Sequence, residues 1–197
     1  CCTLINITTG LSFTDAKAAS KSAGGYLVII NSQLENDFVY GLLSNANITT
    51  MAPDGGGAKY AWIGASDAVS EGNWKWVNGT ALSYTNWGSG TDYYGKPHSE
   101  PDDFNDALLY PLYPPHYSPN GQDSAAMGLE SWPAGAPFSF GQAGQWNDVA
   151  DHNLLAYVIE MDAGGPSNPI NSSPTAVSLS STAMDENEAG VIVGTLS

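Results

Sequence analysis

The chain has 197 residues, with 20 acidic side chains against 5 basic ones, all lysine, and a formal net charge of −15 at pH 7. A surface this anionic repels phosphate backbones and lacks the guanidinium forks that grip them, which excludes nucleic acid and acidic membrane surfaces as partners. With 42% hydrophobic and 13% charged residues, 22 glycines and 12 prolines, the composition describes a loop-rich globular core. No apolar run reaches the roughly 18–20 residues a membrane span needs.

Leu4–Thr9 alternates apolar and polar residues and predicts an opening strand closed by Gly10. Ser12 or Thr14 caps a helix through Asp15–Lys21, stopped by Gly24-Gly25. Tyr26–Ile30 reads as a buried strand. Asn31-Ser32 then caps a second helix, with Glu35 at capping-box spacing and Phe38, Val39, Leu42 and Leu43 on its inner face. Tyr60–Gly64 and Asn73–Val77 are strands, the latter leading to a turn at Asn78-Gly79. Residues 88–145 carry mostly loop signals around a short strand at Ala125–Leu129, and a loop region this long inside a compact domain points to function. A last strand, Leu154–Glu160, closes a first domain near Asp162. Both cysteines stand at the start, Cys1-Cys2, so the body of the fold is not stapled internally. That pair can bridge, cross-link to another chain, carry a lipid on Cys1, or mark a processing boundary.

Three clusters combine dense side-chain oxygen with no plausible nucleophile: Asp67 with Glu71, then Glu100-Pro101-Asp102-Asp103, then Gln122-Asp123 and Asn147-Asp148. Calcium takes six to eight such oxygens, and crowding these carboxylates without a cation costs repulsion. Asp and Asn are also ordinary loop residues. An acidic chain of this kind suits a secreted protein that meets calcium outside a cell. Trp62-Ile63-Gly64 followed by Asp67 and Glu71-Gly72, Asn86-Trp87, Glu100-Pro101-Asp102 and Gln145-Trp146-Asn147-Asp148 resembles a C-type lectin domain, over roughly residues 3–162. Without internal cysteines the chain looks more like a bacterial version.

The resemblance implies an α+β fold: two helices, small antiparallel sheets and a long calcium-binding loop region. It places a principal Ca2+ on Glu100, Asp102, Gln122, Asn147 and Asp148, with a cis peptide at Pro101, and an auxiliary one on Asp67, Glu71, Asp103 and Asp123. Two neighbouring sugar hydroxyls would complete the principal shell through charge-assisted hydrogen bonds. Asp102 stands where mannose-type members have Asn, and Gln122 where they have Glu. The cage charge is unchanged while the donor and acceptor order differs from both mannose-type and galactose-type sites. An insertion around Phe104–Tyr117 adds aromatics nearby.

Trp62, Trp74, Trp76, Trp87 and Trp146 read as core, whereas Trp132, in a Gly/Pro-rich stretch, fits either core or ligand platform. His98, His116 and His152 have no metal spacing, which argues against zinc. Gly55-Gly56-Gly57 lacks the Lys-Ser/Thr of a phosphate loop. The sequons at Asn6, Asn47, Asn78 and Asn171 are about what chance supplies. Carboxylates two residues apart do not form the cleft pair of a glycosidase, so no enzyme is expected. Residues 163–174 are linker chemistry. Residues 175–197 resemble the first strands of a cadherin-like repeat, a partial β-hairpin whose open edges would pair with a neighbouring copy or further segment. The expected function is calcium-dependent recognition of glycans on cells or extracellular matrix by an extracellular adhesive protein. The alternative is a calcium-stabilised module for protein interaction or spacing, without sugar binding.

Overall fold

Residues 2–5, 9–104, 121–161, 177–178 and 192–196 are described by the structure, a computed structural model. Helix α1 (Phe13–Ser22) begins where the Ser12 hydroxyl accepts from the Asp15 amide at 3.1 Å and donates to the Asp15 carboxylate. It ends in a Schellman closure, with Gly25 N–H on Ser20 C=O and Gly24 N–H on Lys21 C=O, and Gly24 at φ +85°. Helix α2 (Gln33–Ser44) is capped by Ser32, whose hydroxyl accepts from the Glu35 amide. The Glu35 carboxylate reaches back one residue further than a simple capping box, to the Asn31 amide. Val39, Leu42 and Leu43 are its buried stripe.

The strands are β1 (Cys2–Ile5), β2 (Tyr26–Leu27), β3 (Met51–Ala52), β4 (Ala58–Ser66), β5 (Lys75–Trp76), β6 (Ser89–Thr91), β7 (Pro97–Ser99), β8 (Ser124–Gly128), β9 (Trp146–Val149), β10 (Ala156–Glu160), β11 (Val177–Ser178) and β12 (Ile192–Leu196). The main sheet runs β11-β12-β1-β10-β4-β8-β9, and β6 with β7 form a separate hairpin. Strand β4 is the hub. It lies parallel to β10 (Trp62 opposite Tyr157) and antiparallel to β8 (Trp62 opposite Ala126). It is buried on both faces, so it reads as a near-continuous apolar run rather than an alternation. Ala61, Ile63 and Ala65 face the core under α2, with Trp76, Met127 and Trp146. Tyr60 and Trp62 face the core under α1, where Phe13 meets Trp62 edge to face at 5.5 Å.

Three predicted strands are shorter than expected, the last of them beginning at Ala156 instead of Leu154. Only Tyr26–Leu27 of Tyr26–Ile30 pairs as β2, although Val28, Ile29 and Ile30 remain buried, and only Lys75–Trp76 of Asn73–Val77 pairs as β5. Strand β12 pairs with β11 on one side and β1 on the other, so the terminal hairpin docks on the sheet of its own chain instead of standing detached. Cys1, Asp162, the linker 163–174, His116, the insertion from 105 to 117, the sequons at Asn6 and Asn171 and the acidic stretch Asp185–Glu188 lie outside the described residues.

Gly64 shows why the Trp62-Ile63-Gly64 run needs its glycine. Its N–H donates to Val28 C=O at 2.8 Å, and an added Cβ would sit 2.5 Å from the Leu27 carbonyl oxygen. Backbone cannot yield as a flexible side chain would. Gly64→Ala is expected to destabilise the fold by about 3 kcal/mol, the upper end of overpacking costs, measured by denaturant unfolding. An unchanged midpoint would mean that β2 and β4 do not approach this closely.

Candidate metal centre

The site forms where the β6–β7 hairpin meets β9. Gly88 N–H donates to Trp146 C=O, and Glu100 N–H to Gly88 C=O, at 2.8 and 2.9 Å. These bonds carry Glu100, which follows β7, to the start of β9. Trp146 anchors that strand through its indole N–H on Asn36 Oδ1 at 2.8 Å. The Glu100–Pro101 peptide is cis. Asp148 is fully buried, and its two carboxylate oxygens accept from the backbone N–H groups of Asp102 (3.3 Å) and Asp103 (2.8 Å).

Glu100, Asp102 and Asp148 each bring a carboxylate oxygen within 4.8 Å of the others. Burial pushes the Glu100 carboxyl up to about 8 despite a hydrogen bond from the Trp132 indole, and the charges of Asp102 and Asp148 add to the rise. Burial likewise raises Asp148 to about 7, opposed by the Asp103 amide and assisted by the Asp102 charge. Asp102 also shifts upward, chiefly by burial. Glu100 Oε1 accepts from Trp132 Nε1 at 2.9 Å, whereas the buried Oε2 has no hydrogen-bond partner. A buried carboxylate oxygen facing another carboxylate needs either a proton or a cation between them.

A second group joins Asp67, Glu71 and Asp123, again within 4.8 Å. Asp67 Oδ2 accepts from the Gly72 amide at 2.9 Å, while its buried Oδ1 has no partner. Burial, then the charges of Glu71 and Asp123, raises Asp67 to about 6. Asp103 stands between the two groups. Its N–H holds Asp148, its Oδ1 accepts from the Gln122 amide, and its charge acts on Asp123. Asp103 has φ +47°, a left-handed conformation that aspartate tolerates better than most residues. Gly121, at φ +87°, makes room for its carboxylate, since a Cβ there would lie on Asp103 Oδ1.

Of the remaining expected ligands, Asn147 is buried and its Nδ2 donates to the Tyr60 hydroxyl at 3.0 Å. Gln122 is braced at both ends: Oε1 accepts from the Phe104 amide, and Nε2 donates to the carbonyl and carboxylate of Asp54. Asp54 is a residue the motif reading passes over. Its carboxylate also accepts from the Ala150 amide and Asn153 Nδ2, tying the Gln122 side to the loop after β9. Trp132 is buried, so of the two alternatives left open by its sequence context it is core and no platform for a ligand, although its indole N–H touches Glu100.

Both groups are hard oxygen sets with one orphaned buried oxygen each, which fits calcium rather than a softer metal that prefers nitrogen or sulfur. The profile of the Lectin C-type domain matches residues 9–107. The chain belongs to the C-type lectin domain family. Human C-type lectin domain family 10 member A is 29% identical to this C-type lectin domain over 158 residues, 79% of this chain and 35% of that protein. The perlucin-like protein of Mytilus galloprovincialis is 35% identical over 83 residues, 41% of this chain and 47% of that one. The chain thus spans less than half the length of both relatives. Human lithostathine superposes with a TM-score of 0.54 at 18% identity, covering 82% of this chain and 83% of that one, a likeness of fold alone. The expected two-helix α+β lectin fold is the observed one, and the family is one of binding domains, not enzymes. Among the described residues no helix is long and apolar enough to cross a membrane.

Proposed function

We propose that this C-type lectin domain is a calcium-dependent carbohydrate-binding module of an extracellular adhesive protein, directed at glycans on cells or matrix. The observation that carries the reading is Glu100 Oε2, buried and unpartnered beside Asp102 and Asp148. Glu100, Asp102, Asn147 and Asp148, with Gln122 at the margin, would hold the principal ion, and Asp67, Glu71, Asp103 and Asp123 the auxiliary one. Bound calcium supplies a positive centre with room in its shell for two neighbouring hydroxyls. The carboxylates and amides around it accept from and donate to those hydroxyls. Single sites of this kind are weak, and many copies supply avidity.

One observation favours the alternative, a calcium-stabilised module for protein interaction or spacing. Glu100 Oε1 already accepts from the buried Trp132 indole, and both ends of Gln122 are engaged inside the fold, which leaves fewer groups to read a sugar. A glycan-binding screen in calcium and in chelator separates the two, with an Asn147→Ala/Asp148→Ala variant as control. Calcium-dependent binding to a defined sugar set that the variant loses is the expected result. Silence in both arms, with calcium still stabilising the protein, would establish the alternative.

A further inference from the structure

Under the three carboxylates lie two buried aromatic side chains, Tyr60 and Trp132, whose ring centroids are 5.7 Å apart. Each touches a different member of the site. The Trp132 indole N–H donates to Glu100 Oε1 at 2.9 Å, which fixes the carboxylate and leaves Oε2 as its buried, unpartnered atom, in a carboxylate grouped with those of Asp102 and Asp148. The Tyr60 hydroxyl donates its single proton to Gly55 C=O at 2.8 Å. It can therefore only accept from Asn147, so the amide must present Nδ2 to it and turn Oδ1 the other way. An asparagine without this constraint could flip and offer a cation its NH2 group.

The surroundings of Trp132 are cleared for an indole. A Cβ on Gly88, Gly128 or Gly141 would lie 2.3, 2.6 or 2.0 Å from its ring. A filler in such a slot has no need of an N–H, and burying one is unfavourable unless it finds an acceptor.

From this floor we infer that Tyr60 and Trp132 are a pair of positioning residues, which set the ligand atoms Glu100 Oε2 and Asn147 Oδ1 for a divalent cation. The inference rests on the calcium reading proposed above. Partners of this outer kind commonly control metal affinity by about 10- to 100-fold. Tyr60→Phe removes one hydroxyl and keeps the ring. Trp132→Phe removes the N–H along with part of the ring.

The test is calorimetric titration of calcium into the whole chain and both variants, with 1H–15N spectra of the wild type in which the Trp132→Phe variant assigns the Trp132 indole resonance. The expected result is that each variant weakens one calcium site by about tenfold or more and leaves the site at Asp67, Glu71 and Asp123 within about twofold. The Trp132 indole resonance should shift with the same midpoint as the affected site. Wild-type affinity in both variants, equal weakening at both sites, or an indole resonance indifferent to calcium would overturn the pair's role while the calcium reading stands. A wild type that takes up no calcium would overturn that reading and this one together. Should Trp132→Phe fail to fold, Tyr60→Phe decides the matter from the Asn147 side.

Discussion

In calcium the melting temperature is expected to stand about 5–10 °C above its value in chelator. An ion that binds only the folded state stabilises it by about 2.7 kcal/mol when its concentration is 100 times the dissociation constant. For a domain of this size each kcal/mol moves the midpoint by about 2–4 °C. The molecular source is visible in both groups. Glu100, Asp102 and Asp148 are held together by backbone bonds that do not neutralise them, and Asp67 is crowded by Glu71 and Asp123. A cation converts that repulsion into attraction, whereas in the unfolded chain the same carboxylates are apart and hydrated. Differential scanning calorimetry with and without chelator measures the shift. A midpoint indifferent to calcium would mean that neither group holds it.

The second large effect is the pH dependence of the calcium-free protein. Folding raises Asp67, Asp148 and Glu100 to about 6, 7 and 8, from ordinary values of 3.8, 3.8 and 4.5, mainly through burial. Between the unfolded and folded values the native state binds more protons than the unfolded state, so its stability declines as pH rises. The contribution is whole below about pH 4 and is lost on passing through pH 6 to 8. A tenfold change in proton affinity corresponds to about 1.4 kcal/mol, so the combined loss between pH 5 and pH 8 should be at least about 3 kcal/mol. In chelator the melting temperature should therefore fall across this range. Saturating calcium should flatten or reverse the fall, because the ion takes the place of the protons. A flat profile in chelator would show that Glu100 and Asp148 do not face each other in a dry site.

The sequence carries the helices almost completely, because their signals are local. Ser12, Ser32 and the Gly24-Gly25 stop act within a few residues of where they stand. The motif residues that converge here, Glu100, Asp102 and Asp148, are equally readable as members of separate clusters, although nothing local says that they meet. What stays hidden is the material beneath them. Tyr60 reads as an ordinary strand aromatic and Trp132 as one more tryptophan in a loop. Their roles depend on contacts 87 and 32 residues away along the chain, to Asn147 and Glu100. Residues 88–100 hold more order than their loop signals suggest. Ser89–Thr91 and Pro97–Ser99 form a hairpin closed by an Asp92 side chain that accepts from the Tyr94 and Lys96 amides, a pairing set by turn chemistry and not by apolar alternation.

The hub position of β4 has a consequence for how the molecule is made. Its antiparallel neighbour β8 and its parallel neighbour β10 pair with it across sequence separations that reach from Trp62 to Ala126 and on to Tyr157. Loop closure over such distances must precede the contacts that reward it, which places folding in the millisecond-to-second regime of non-local topologies. During synthesis, β4 emerges well before either flanking strand, and its apolar length waits without its full set of partners until Tyr157 has left the ribosome. That interval is when the nascent chain is most open to wrong pairings, and when a chaperone would have most to cover.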